Sequence, residues 1–264
     1  MLSYQHAYHA GNLADVHKHA LLAWMLGYLT RKDKPLSYIE THAGRGLYDL
    51  SGPEAARTGE AVQGIARAVD WFPADHPYAR ALAQIRAQHG VDAYPGSPLI
   101  AATLLRPTDH IHLAELHPAE HSALKSVVSG RIGQVRKTDG AALAHSLCPP
   151  EPRRGLMLID PSWEVKTDYD TWPKLLRQLH AKWNVGILCL WYPVLISGAE
   201  RAMVNRLGAE LPQGWRHEVR FPPARPGHGM VGSGLFVLNP PFGLDAEAAR
   251  LRARFDGLGR SASR

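Results

Sequence analysis

Short apolar runs that stop in a polar or acidic residue, each followed by a stretch of helical length, recur along most of this 264-residue chain. Parallel strands cannot be joined by tight turns and need crossovers, which are usually helical. The pattern therefore predicts strands at 36–41, 110–115, 134–138, 156–160, 186–191, 216–221 and 235–239. Helices are expected at 12–31, 118–129, 140–147, 169–182, 197–211 and 246–255. This alternation points to one doubly wound α/β domain spanning 1–264. The rhythm breaks between Gly46 and Ser97, where no strand is expected and segments 54–71 and 78–88 carry helix formers bounded by Pro and Gly. A small helical insertion, about 48–96, is expected after the first strand, and a loose basic tail over about 255–264.

A hydrophobic share of 45% is enough for a sizeable core. The formal charge of +6 favours a polyanionic partner, because neutralised phosphates release counterions. Cys148 and Cys189 stand alone, without ligand-spaced companions, so neither a disulfide framework nor a zinc site is expected. His6, His9, His17 and His19 invite a metal reading, but no HExxH occurs and His17 and His19 would point about 200° apart on a helix. No metal is expected. With no basic-then-apolar opening segment and no run of about 18 apolar residues, a cytoplasmic protein without a membrane span is expected.

The first strand runs into Glu40-Thr41-His42-Ala43-Gly44-Arg45-Gly46. Glycines there permit a tight turn and close approach of a ligand to the backbone. The next strand ends in Glu115, a carboxylate placed to accept from ribose hydroxyls, and the third in Asp139-Gly140, where Asp139 can accept from an adenine amine. Each acid could instead cap the following helix. Three in register at successive strand ends favour a nucleoside cofactor. Asp49 replaces the third glycine of GxGxxG, which suits a pyrophosphate poorly. A sulfonium cation fits the acidic setting better, so S-adenosyl-L-methionine is expected and a dehydrogenase is a distant alternative. Ser97 could cap a helix, contact the cofactor, or both.

The fourth strand ends in Asp160-Pro161-Ser162-Trp163, which resembles the acidic-or-amide, Pro-Pro, aromatic motif of amino-methyltransferases. An adenine amine is a poor nucleophile because its lone pair is delocalised into the ring. Acceptors on both N–H groups favour the pyramidal nitrogen that can attack. Asp160 and the Pro161 carbonyl are expected to supply them, and Trp163 to stack on the base. Ser162 replaces the second proline and loosens the aim of that carbonyl. A literal match, Asn239-Pro240-Pro241-Phe242, follows the last strand, where the chain order places it away from the fourth-strand position. Asp160 is preferred. Among the basic clusters, Lys166 lies nearest this motif and is expected to touch substrate phosphate.

Long ordered blocks make the chain resemble the bacterial large-subunit (23S) ribosomal RNA adenine-N(6)-methyltransferases of the RlmJ type over about residues 1–242. They include Met1-Leu2-Ser3-Tyr4, His9-Ala10-Gly11-Asn12, Lys18-His19, Thr41-His42-Ala43-Gly44, Tyr94-Pro95-Gly96-Ser97-Pro98, Glu115-Leu116-His117-Pro118, Leu190-Trp191-Tyr192-Pro193 and Asn239-Pro240-Pro241. The resemblance implies a Rossmann-like sheet with the helical insertion after its first strand. It implies cofactor contacts from His19, His42, Ser97, Glu115, Asp139, Gly140 and Asp160 beside Gly44, a catalytic carboxylate at Asp160, and Tyr4 at the RNA, where Lys18 is also expected. The implied partner is 23S ribosomal RNA, protein-free or in an early assembly intermediate, with no obligate protein partner. A DNA adenine methyltransferase, or a catalytically degenerate nucleic-acid-binding protein, would share much of this chemistry.

Overall fold

The computed structural model describes residues 5–128 and 133–261. Its strands are β1 (Ser37–Glu40), β2 (Leu47–Asp49), β3 (Ala93–Pro95), β4 (His110–Ala114), β5 (Gln134–Arg136), β6 (Gly155–Ile159), β7 (Ile187–Leu195), β8 (Trp215–Arg220) and β9 (Met230–Leu238). The helices are α1 (Leu13–Thr30), α2 (Pro53–Thr58), α3 (Glu60–Gln63), α4 (Ile65–Ala68), α5 (Pro77–His89), α6 (Ser97–Leu104), α7 (Pro118–Val128), α8 (Gly140–Leu147), α9 (Asp168–Lys182), α10 (Arg201–Glu210) and α11 (Leu244–Ser261).

Seven strands form one sheet in the order β5-β4-β1-β6-β7-β9-β8. Successive side chains point to opposite faces, and the core divides accordingly. Tyr38, Leu156 and Leu158 face a layer built from α1, α5, α6 and α11, whereas Ile39, Met157 and Ile159 face α8, α9 and α10. β1 pairs in parallel with both β4 and β6. The chain moves outward from β1 to β4 and β5, then returns to β6 on the other side, which makes the β1–β6 boundary a topological switch point. In open α/β sheets the crevice beyond the strand ends at such a point is where ligands bind. β9 lies between β7 and β8, antiparallel to both.

Three expectations need correction. Two strands do occur between Gly46 and Ser97: β2 and β3 pair antiparallel, Leu47 with Pro95 and Asp49 with Ala93, and close the neck of the inserted helices. At three residues each they are too short to show a period. Segment 54–71 is broken into α2, α3 and α4, because Gly59 has φ +66 and Gly64 lies so close to the Gly11 carbonyl that no Cβ would fit. Residues 255–261 are helical rather than loose, and 262–264 lie outside the described residues. α11 continues to Ser261, with Leu251, Phe255 and Leu258 buried at i, i+4 and i+7 against the α1 layer. Among the described residues no helix is long and apolar enough to cross a membrane.

Candidate active site

α1 is buried nearly all round, so its polar residues must find partners inside the protein. Three consecutive ones leave in three directions, as 100° per residue requires. His17 pairs with Ser233 and His217 on the outer strands, at 2.8 and 2.9 Å. His19 meets the Tyr94 hydroxyl of β3 at 2.9 Å. Lys18, only 5% exposed, points at the end of β6, where its Nζ donates to Asp160 Oδ2 at 2.7 Å. The same ammonium lies 3.2 Å from Asp15 one turn earlier. Burial alone would depress the Lys18 ammonium, but Asp160 and Asp15 overcome it and hold the group charged well above the ordinary lysine range. Burial likewise opposes ionisation of Asp15, yet His6, Lys18 and His19 keep its carboxyl below the usual range.

The turn after β1 packs beside Asp160. Thr41 N donates to Leu158 O at 3.1 Å, and Ala43 N to Ala114 O at 2.9 Å, tying the turn to the strands on either side. Gly44, at φ +63, donates its N–H to Glu115 Oε2 at 2.8 Å; the other oxygen accepts from His117 N at 2.7 Å. A Cβ on Gly44 would also sit 2.6 Å from the Tyr48 hydroxyl. Glu115 is half-buried, and that burial raises its pKa against the pull of the two backbone donors. Asp139 caps α8 by accepting from Ala142 N at 2.9 Å, and Gly140 follows so close to β1 that a Cβ would come 2.3 Å from Thr41 O. His42 shares a 2.8 Å hydrogen bond with Thr41 Oγ1 and lies edge-on to Trp172. Burial pushes it down to about 4, although Asp160 and Asp139 favour its charge.

Ser97 does not cap α6; that position belongs to Gly96. Its hydroxyl donates instead to Glu40 Oε1, while Tyr38 donates to Oε2 at 2.8 Å. Glu40 is fully buried, and burial pushes its pKa up to about 8 against these two hydrogen bonds, with the Asp160 charge adding to the rise. The expected cofactor residues Gly44, Glu115, Asp139, Gly140 and His42 thus gather at one edge of the sheet with Asp160. Ser97 and His19 stand behind them, their side chains already engaged with Glu40 and Tyr94.

Lys18 faces Asp160. Trp163, at φ 59, turns inward: it is 7% exposed, packs on Tyr169 at 4.8 Å, and its buried indole N–H has no hydrogen-bond partner among the described residues. Pro161 is buried, Ser162 exposed and Lys166 exposed. Tyr4 lies outside the described residues. Asn239 belongs to the other end of the molecule. β9 runs against β7, with Leu238 opposite Leu188, so Asn239 emerges where β7 begins and donates to Asn184 O and Gly186 O at 2.9 and 2.7 Å. Asp15 is the residue here that sequence reasoning misses. The Asp15-x-x-Lys18-His19 spacing on one helix is the signal for it.

The chain as a whole is similar to proteins of known family. A crystal structure of a protein from Legionella pneumophila superposes with a TM-score of 0.86 at 35% identity, covering 95% of this chain and 94% of that one. The ribosomal RNA large subunit methyltransferase J of Escherichia coli (strain K12) is 39% identical over 252 residues, 94% of this chain and 90% of the relative. The protein of that name from Haemophilus influenzae is 38% identical over 253 residues, with the same coverage. The family model described as ribosomal RNA large subunit methyltransferase D, RlmJ, matches residues 33–255, from just before the glycine turn through Asp160 into α11. With strand-end acids, glycine turn and Asp160 all inside that match, the chain belongs to this methyltransferase family.

Proposed function

We propose that the protein transfers a methyl group from S-adenosyl-L-methionine to the exocyclic amine of an adenine in 23S ribosomal RNA. The observation that supports this most is the Lys18–Asp160 pair at the switch-point crevice. Lys18 takes one oxygen of Asp160, at 2.7 Å, and Oδ1 has no protein hydrogen-bond partner among the described residues. One acceptor is therefore held and aimed, with its second oxygen available for an amine N–H.

The residues fit the cofactor on two counts. Gly44 and Gly140 keep the crevice floor thin where a Cβ would collide, and the lining is acidic, which suits a sulfonium and disfavours a pyrophosphate. Glu115 would accept from the ribose hydroxyls and Asp139 from the cofactor adenine, with Gly44, His42 and Gly140 shaping the cradle. His19 and Ser97 support it from behind. When bound, the cofactor supplies an electrophilic methyl group.

The chain's own work is done on the target amine. Asp160 Oδ1 and the Pro161 carbonyl accept hydrogen bonds from its two N–H groups, which favours a pyramidal nitrogen with a free lone pair and fixes the line of attack. As the nitrogen gains positive charge, the Asp160 carboxylate stabilises it at short range. Lys18 keeps that carboxylate in place. Trp163 would stack on an extruded base after turning out of its packing on Tyr169, and Lys166 would meet a neighbouring phosphate. The substrate is protein-free RNA or an early assembly intermediate in the cytoplasm.

Transfer of labelled methyl groups to protein-free large-subunit RNA, followed by nucleoside analysis, tests the reading. Label in the exocyclic amine of adenosine is expected. Preferential labelling of duplex DNA, or cofactor binding without transfer to any polymer, would overturn it.

A further inference from the structure

The active-site edge of the sheet continues past β6 to a concave basic surface that the methyl-transfer chemistry does not use. β8 is the outermost strand on that side, and its side chains alternate between faces. His217 and Val219 turn toward α1 and α11, where His217 pairs with His17 and Val219 joins the core. Arg216, Glu218 and Arg220 therefore share the other face. With Arg201 and Asn205 from α10 and the neighbouring Glu200, they line a cavity of about 200 Å³.

The register fixes where this cavity lies. Ile159 pairs with Leu190, Leu190 with Phe236, and Phe236 with Arg216, so Arg216 stands level with the last residue of β6. Three interstrand steps separate them, about 14 Å at ordinary spacing. Arg220 pairs through Gly232 to Val194, four residues further toward the open edge. The starts of α9 and α10 cover the same sheet face, so exposed Lys166 and Arg201 lie on the path between Asp160 and Arg220.

The charges on this surface are unevenly committed. Glu218 accepts from Tyr192 at 2.8 Å and from two nitrogens of Arg216 at 2.7 and 3.1 Å, so that pair is internally neutral. Glu200 is 3% exposed and turns an oxygen to the Leu195 backbone. Arg201 and Arg220 are exposed, and neither has an ion-pair partner among the described residues. Two unneutralised guanidiniums at the rim of a cavity match the bidentate geometry of phosphate oxygens.

We propose that this surface is a second anchoring site for the sugar-phosphate backbone of the substrate RNA. Arg201 and Arg220 each neutralise a phosphate a few nucleotides from the adenine held at Asp160. The inference rests on the RNA reading above and adds the track along which the strand leaves the crevice.

The test is steady-state methylation of protein-free large-subunit RNA by wild type, Arg201→Glu/Arg220→Glu and Arg201→Lys/Arg220→Lys, from about 50 to 200 mM salt. In the Glu variant KM for RNA should rise at least about tenfold with kcat at saturating RNA and KM for the cofactor unchanged. Its log–log salt dependence should flatten by about 1.5, two phosphate contacts at about 0.7 to 0.9 each. The Lys variant should keep most of the salt dependence. An unchanged KM and salt slope in the Glu variant would overturn the anchoring site, and so would a fall in kcat with KM unchanged. Failure of the wild type to methylate RNA would instead remove the RNA reading, and the site with it.

Discussion

Two proline loops close two strands of the same sheet, and they leave it at opposite edges. Asn239-Pro240-Pro241-Phe242 is the more literal match to an amino-methyltransferase motif, yet it ends an antiparallel strand and emerges at the sheet edge where β7 begins. Its asparagine, at φ 55, spends both observed side-chain hydrogen bonds on local carbonyls, and Phe242 is 89% exposed. Asp160-Pro161-Ser162-Trp163 departs from the motif at Ser162 but ends parallel strand β6 beside the glycine turn, opposite a buried lysine. Strand direction, more than residue identity, decides which loop can meet a cofactor at the switch point.

The largest expected effect lies at Asp160. Asp160→Ala should lower kcat by roughly 10²–10³-fold or more, the scale of removing a preorganised transition-state contact, while cofactor binding measured calorimetrically persists. Lys18→Met comes next. It leaves Asp15 and Asp160 facing each other without their shared cation, and denaturant unfolding should show a loss of about 3–5 kcal/mol together with a slower kcat. Wild-type stability in that variant would break the link drawn between α1 and the Asp160 loop. Gly140→Ala places a methyl group against the Thr41 carbonyl, an unyielding backbone atom. A destabilisation of about 1–3 kcal/mol and at least about tenfold weaker cofactor binding are expected.

Glu40 sharpens the comparison through pH. Because its folded pKa is raised to about 8, the folded state holds the extra proton between about pH 4.5 and 8. Its contribution to stability therefore declines as pH rises through that window. Glu40→Gln should remove this decline when urea midpoints are compared from pH 5 to 8, and an unaltered difference between the two proteins would contradict the buried-acid description. Asn239→Ala, the smallest effect, should leave kcat unchanged and lower stability by about 1–2 kcal/mol through lost hydrogen bonds and positive φ.

Much of this was legible because parallel strands carry their own signature. The central strands β1, β4 and β6 announce themselves as largely apolar runs that stop at an acidic residue, which is how Glu40, Glu115 and Asp160 fall at strand ends. β2 and β3 escape because a three-residue strand has no measurable period. The end of α11 escapes because Gly257 and Gly259 mask the Leu251, Phe255, Leu258 spacing that buries it. The Lys18–Asp160 pair joins residues 142 apart, a distance across which a lone sequence gives no pairing signal. Trp163 has the aromatic identity the motif requires, but its inward packing depends on Tyr169 and α9 and could be seen only in three dimensions.

The central claim, that the methyl donor sits at the β1–β6 edge and not at the Asn239 loop, is most directly tested by ultraviolet cross-linking of methyl-labelled S-adenosyl-L-methionine followed by peptide mapping. Label is expected in peptides that contain Glu40 to Gly46, Glu115, Asp139 to Ala142 or Asp160 to Trp163. Label confined to peptides spanning Leu235 to Gly243 would contradict the account.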